Sequence, residues 1–299
     1  MKILLIGKNG QIGKSLYNYL KESHEIQALE RNDCNLLDEA EIKKVLSDVE
    51  AELIINAAAY TNVEKAENDT AKVFLTNSNA VKVISILSKE KKIPIINFST
   101  DYVFDGNNKE KYIEEDKTNP LNVYGKSKMF GEKYTKMNDK HIIIRTSRVY
   151  SPFGSNFIRK IIKLAEKEKE LKVINDQIGT PTSSELISRV VSNLIDKFGA
   201  YKEEEIYGIY HVVAEGSCSW YDYTKLIIKE ALKNGHRLEV GLENIHAISS
   251  EDFKSSTNRP KNSVLSTDKI KSLLSIDMPD WKEDVKKTIK IIIKDKDNV

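Results

Sequence analysis

Lys2-Ile-Leu-Leu-Ile-Gly7-Lys-Asn-Gly10-Gln-Ile-Gly13 reads as a buried strand, a glycine turn and the start of a helix. The apolar run Ile3 to Ile6 has no polar alternation, which suits a strand covered on both faces. Beyond it, Ile12, Leu16 and Leu20 form a helical stripe over Gln11 to Lys21. A helix opening directly behind a glycine turn offers free N–H groups and the positive end of its dipole to an anion. Gly7 then serves the sharp turn, Gly10 the approach of backbone to a pyrophosphate, and Gly13 close helix–strand packing. Asn9, Gln11 and Ile12 stand between and beside the glycines and join them as candidate cofactor contacts. The first gap is one residue longer than in the usual dinucleotide fingerprint, and a plain tight turn would also use glycine here.

Outward from this unit the first half keeps alternating. Strands are expected at Glu25 to Glu30, Glu52 to Asn56, Pro94 to Ser99 and His141 to Arg145. Asp38 with Glu41 predicts a capping box for a helix through Leu46, and further helices are expected from about Thr70 to Lys91 and Asn122 to Met137. After Val149 the rhythm weakens, with helices at Asn156 to Glu168, Ser183 to Phe198, Tyr221 to Lys233 and Asp280 to Ile293. Strands Leu171 to Ile174 and Tyr207 to Val213 lie among them. The fold class is therefore α/β: a doubly wound parallel, Rossmann-like sheet with a smaller, interleaved C-terminal domain. Residues 1–150 are expected to bind the dinucleotide, and 151–299 mainly the substrate, with segments within about 171–200 joining the sheet.

Tyr124-Gly-Lys-Ser-Lys128 carries the chemistry, following Ser99-Thr100-Asp101 at a strand end. A tyrosine and a lysine four apart share a helix face. An ammonium beside a phenol is expected to lower a pKa of about 10, making Tyr124 a proton donor to a carbonyl under reduction. Thr100 supplies a second hydroxyl to the same oxygen. The same spacing recurs at Tyr17/Lys21 and Tyr221/Lys225, but neither pair follows a strand ending in hydroxyl residues, so both read as surface positions. Ketone–alcohol oxidoreduction with a dinucleotide hydride source is the expected reaction.

Cofactor choice falls near the end of the second strand. An acid there favours NADH and an arginine favours NADPH, and Glu30 and Arg31 are adjacent. The reading leans to NADPH and leaves NADH open. Asn35 and Leu36, just beyond, are candidate cofactor contacts with them. Ala57-Ala58-Ala59 ends the third strand with small side chains, which either a nearby cofactor or tight helix–sheet packing would want. Asn77, polar in an apolar stretch, either bonds backbone near the site or holds a helix kink.

The chain of 299 residues is 40% hydrophobic and 31% charged, enough for a large core in a soluble protein. A net charge of +2 gives no reason to expect nucleic acid or an anionic membrane as partner. Cys34 and Cys218 are too few and too far apart for a disulfide framework or a zinc spacing. The apolar start is too short for a signal peptide, and no run reaches a membrane span, so a cytoplasmic enzyme is expected.

With these residues in view, the chain resembles the extended short-chain dehydrogenase/reductases, and within them the dTDP-4-dehydrorhamnose reductase family. The similarity runs nearly end to end, through Gly7 to Gly13, Asn56 to Val63, Ser99 to Phe104, Pro120 to Lys128, Ile143 to Ser147, Ile174 to Thr182 and Arg259 to Ser263. It implies that Thr100, Tyr124 and Lys128 form the catalytic set, and that Tyr124 and Lys128 also bind the cofactor. It further implies a dTDP-linked deoxysugar substrate with Thr61, Val63, Thr100 and Asp101 near the sugar, and Asn156 and Arg259 near its phosphates. Arg148 stands where the family commonly has tryptophan, so it either meets the sugar or forms a local salt bridge. Some members join subunits through glutamates around Mg2+. Glu185 matches one such position, but Ser15 stands at another, which leaves monomer and homodimer both open. An epimerase, a reductase of another nucleotide-linked keto sugar and a non-catalytic cofactor-binding subunit are the rival readings.

Overall fold

Strands β1 (Lys2–Ile6), β2 (Glu25–Leu29), β3 (Leu53–Asn56), β4 (Ile95–Thr100) and β5 (His141–Thr146) lie parallel in one sheet. A later strand, β10 (Gly208–His211), pairs with β5 and completes the order β2-β1-β3-β4-β5-β10. The computed structural model describes residues 1–198, 206–253 and 257–297. The order reverses between β1 and β3, and the crevice above the carboxyl ends of those strands is where open α/β sheets bind ligands. Register brings Ile6 opposite Asn56, and Thr100 opposite Thr146, so the strand ends form one rim.

Helices cover both faces. Leu16 and Leu20 of α1 (Gln11–Leu20) pack with Leu186, Val190 and Leu194 of α8 (Ser184–Asp196) on one side. Ile42 and Leu46 of α2 (Glu39–Ser47) pack with Val83 and Ile84 of α5 (Ala80–Glu90) on the other. Between these come α3 (Val63–Ala66), α4 (Thr70–Phe74), α6 (Val123–Thr135) and α7 (Phe157–Ala165). The chain finishes through α9 (Trp220–Lys233), α10 (Asp268–Leu274) and α11 (Trp281–Asp297). No helix among the described residues is long and apolar enough to cross a membrane.

Three local expectations change. The helix expected from Thr70 to Lys91 is interrupted by a π-helical turn at Leu75–Asn79, centred on Asn77. Asp38 does cap α2, accepting from the Ala40 and Glu41 N–H groups. Glu41, however, reaches past it to the Asn35 N–H at 2.9 Å, so no reciprocal box forms. The strand Leu171–Ile174 (β7) does not extend the main sheet. Its partner is β12 (Ile245–Ile248), in a separate two-stranded pair, while α8 from the same 171–200 stretch covers the sheet instead. Residues 199 and 200 of that stretch lie outside the described residues. Two more short pairs, β6 (Val149–Tyr150) with β9 (Thr182–Ser183) and β8 (Ile178–Gly179) with β11 (Cys218–Ser219), tie the second half to the rim.

Candidate active site

A cavity of about 900 Å³ opens along the rim, from the glycine turn past Thr100 to Tyr124 and Lys128. At its first end, Gly7 has φ +90°, and a Cβ there would lie 2.6 Å from the Ala58 nitrogen. A Cβ on Gly13 would strike the Gly7 carbonyl at 2.1 Å, so this glycine lets α1 press against the turn and does not itself line the cavity. At Gly10 the protein would be met only at 3.4 Å, so the missing side chain leaves room for something else. No side chain caps α1, and its first turn holds no acid, leaving an electropositive helix end at the cavity. Asn9, Gln11, Ile12, Glu30, Arg31, Asn35, Leu36 and all three alanines from Ala57 to Ala59 line the same space. A dinucleotide with its pyrophosphate on the α1 N-terminus fits this wall.

The hydroxyl end is built from β4 and α6. Asn122 caps α6 by accepting the Gly125 N–H at 2.8 Å, and the helix then presents Tyr124 and Lys128 on one face. Thr100, the last residue of β4, donates to the Asp101 carboxyl at 2.9 Å and accepts the Tyr102 N–H at 3.2 Å. Beneath them Glu132 takes Arg145 through two bonds of 2.8 Å and the Ser99 hydroxyl at 2.6 Å. This buried ion pair joins β5 to α6 and to the end of β4, fixing the threonine relative to the tyrosine helix. Asn77 resolves both of its readings at once. It sits in the π-helical turn, accepts the Tyr60 N–H at 2.8 Å, and donates to the Tyr60 carbonyl and the Ser127 hydroxyl, each at 3.0 Å.

The expected depression of the Tyr124 pKa is not what the site shows. Burial pushes the phenol well above its ordinary value, with the neighbouring Thr100 hydroxyl pulling the other way. Lys128 is itself pulled down to about 8 by burial, partly opposed by Glu132. The phenol therefore stays protonated at neutral pH, which is the form a proton donor needs.

On the substrate side, Thr61, Val63, Thr100 and Arg148 line the cavity, and three other candidates do not. Asp101 is buried beneath Thr100, accepting also from the Ser147 hydroxyl at 2.7 Å. Asn156 caps α7 and donates to the Gln11 side chain at 3.2 Å and the Ser151 carbonyl at 2.8 Å, so its amide is already engaged. Arg259 pairs with Glu64 at 3.1 Å and stands beside Tyr102, which does line the cavity. Arg148 makes no local salt bridge among the described residues. Its guanidinium donates to the Gln177 and Cys218 carbonyls at 2.8 and 2.9 Å and stacks on Trp220. Glu185 lies exposed in the first turn of α8, and no group of three or more potential ligands that could hold a metal occurs among the described residues.

Sequence reasoning missed Lys14, Tyr102, Phe153 and Trp220, all of which line the cavity. Lys14 was legible as a cation one turn into α1, and Tyr102 follows the Thr100-Asp101 pair directly. Phe153, under the Lys14 ammonium at 4.8 Å, and Trp220 arrive from the second half through tertiary packing that no local pattern announces.

A doubly wound sheet with an anion-binding glycine turn at its switch point and a Tyr–Lys helix beside it is the frame of a dinucleotide-linked oxidoreductase of the short-chain dehydrogenase/reductase type. The chain belongs to the dTDP-4-dehydrorhamnose reductase family, and the family model described as RmlD substrate binding domain matches residues 1–293. The dTDP-4-dehydrorhamnose reductase of Escherichia coli K12 is 36% identical over 294 residues, with 97% of each chain covered. Among solved structures, the ortholog from Clostridium acetobutylicum superposes with a TM-score of 0.89 at 34% identity, covering 98% of this chain and 99% of its own. The dTDP-4-dehydrorhamnose reductase of Bacillus anthracis, solved in complex with NADP, gives 0.87 at 30% identity, covering 96% and 98%.

Proposed function

We propose that this protein is a cytoplasmic reductase that converts the C4 ketone of dTDP-4-dehydro-L-rhamnose to the alcohol of dTDP-L-rhamnose, using NADPH. The observation that carries the reading is the single cavity that joins the uncapped α1 N-terminus to Thr100, Tyr124 and Lys128. Gly7, Gly10, Gln11 and Ile12 would hold the pyrophosphate, and Ala57 to Ala59 the adenosine side. Arg31, exposed at the rim, would pair with a 2′-phosphate. A bound NADP in the Bacillus anthracis relative supports that choice over NADH. When bound, reduced nicotinamide supplies a hydride to C4.

The chain's own residues do the rest. Thr100 and Tyr124 grip O4 and orient the carbonyl. As C4 gains the hydride, O4 becomes an alkoxide and takes the Tyr124 proton, and solvent later reprotonates the phenolate. A phenol with a raised pKa still gives up its proton here, because an alkoxide is the stronger base. The Lys128 ammonium would hold the nicotinamide ribose and offset the phenolate charge. Residues 1–150 supply most of the dinucleotide wall, and the second half adds Phe153 beside Lys14 of α1 and Trp220 beside Arg148.

The test mixes purified protein with dTDP-4-dehydrorhamnose and follows loss of nicotinamide absorbance with NADPH and with NADH. Substrate-dependent oxidation, faster with NADPH, is expected, and Tyr124→Phe is expected to slow turnover by about 10²- to 10⁴-fold. Cofactor binding without any oxidation would defeat the reading and favour a non-catalytic binding role.

A further inference from the structure

Arg148 is placed with more care than a surface cation receives. Its backbone is left-handed, with φ +46°, a conformation that disfavours a long side chain and that tends to be kept where function needs it. Its guanidinium is half-buried and fixed from three sides. Gln177 lies ahead of β8 and Cys218 opens β11, and their carbonyls take one N–H each. The indole of Trp220, first residue of α9, lies under the plane at 3.9 Å.

Neither anchor is charged, and no carboxylate lies within ion-pair distance of Arg148 among the described residues. Two neutral carbonyls could be served by a neutral amide, without taking a full charge out of water. A guanidinium carries five N–H donors, more than those two bonds use. Both Arg148 and Trp220 line the cavity together with Thr100, Tyr102 and Tyr124, where the ketone-bearing ring would lie.

We propose that Arg148, held flat by Trp220, is the specificity-determining residue of the sugar pocket, and that its unused N–H groups donate to a ring hydroxyl of the deoxysugar. The inference rests on the reading of the cavity as a keto-sugar reductase site. A pocket built to hydrogen-bond a substrate hydroxyl rejects the analogue without it, because a buried donor is then left unpaired. An aromatic wall alone would discriminate far less between the same two sugars.

The experiment compares kcat/KM for dTDP-4-dehydrorhamnose with that for its 2-deoxy and 3-deoxy counterparts, in the wild-type enzyme and in Arg148→Met. Wild type is expected to prefer the parent sugar over one counterpart by about 10- to 100-fold or more. Arg148→Met is expected to shrink that ratio to within about 3-fold, mostly through the parent sugar, while its NADPH affinity stays at the wild-type value. Two results would overturn the proposal: a wild-type enzyme that does not separate the three sugars, or a variant that loses rate equally on all of them and keeps the ratio. The first needs no variant, so a misfolded Arg148→Met does not rescue the idea. Absence of turnover by wild type on every sugar would instead defeat the reductase reading itself.

Discussion

Burial pulls the Lys128 ammonium down from 10.5 to about 8, while Glu132, one helical turn away, pulls the other way. The unfolded chain keeps its proton up to about 10.5, so below about 8 both states are charged and folding bears the whole penalty. Between those values the unfolded state binds more protons, and stability rises with pH. The shift corresponds to a penalty on the order of 3 kcal/mol at neutral pH. Cofactor-free Lys128→Met is therefore expected to melt higher than wild type at pH 7, with the gap closing as pH approaches 10, while its turnover drops by about 100-fold or more. Thermal melts at both pH values check this, and a variant less stable at pH 7 would show that the Glu132 contact outweighs desolvation. Lys128 and Tyr124 were legible in the sequence because a helix turns a spacing of four into a shared face. The environment that sets their pKa values was not, since it is chiefly the burial that tertiary packing around this helix creates.

At the level of elements, the π-helical turn at Leu75–Asn79 does what a straight helix could not. It brings the Asn77 carbonyl so near α6 that a Cβ on Gly131 would sit 2.4 Å from it, and it aims the Asn77 amide at Tyr60. The segment after β3, with Ala57 to Ala59 and Thr61 on the cavity wall, is thereby clamped to the helix that carries Tyr124. Asn77→Ala would strip partners from the Tyr60 N–H and carbonyl, which is expected to cost about 1–3 kcal/mol. Urea titration measures that loss. A rise in KM for substrate larger than the fall in kcat would mark a loosened wall, whereas unchanged kinetics and stability would deny the clamp. The main strands were legible because Leu4, Ile54 and Ile95 belong to continuous apolar runs that only a doubly covered sheet wants. The two-residue strands β6, β8, β9 and β11 were not, because a period of two cannot be read from two residues.

Across the whole molecule, one core ignores the boundary near residue 150. Ile3, Leu5 and Leu53 share it with Ile187, Val191, Tyr210 and Ile228, and β10 completes the sheet begun by the first half. Removing the second half would therefore bare one face of the sheet as well as the sugar end of the cavity. Two weakly coupled domains would unfold in two steps, whereas a shared core of this kind predicts one. The protein carries its own probe, since both tryptophans, Trp220 and Trp281, lie in the second half while far-ultraviolet circular dichroism reports helices throughout. Urea curves from tryptophan fluorescence and from circular dichroism are expected to coincide. Added NADPH, although proposed to sit mainly against the first half, is expected to move both midpoints together, because ligand binding stabilises the whole cooperative unit. Curves that separate, with fluorescence unfolding first and indifferent to NADPH, would mean that the sugar-side half is a distinct unit resting on an independent dinucleotide domain.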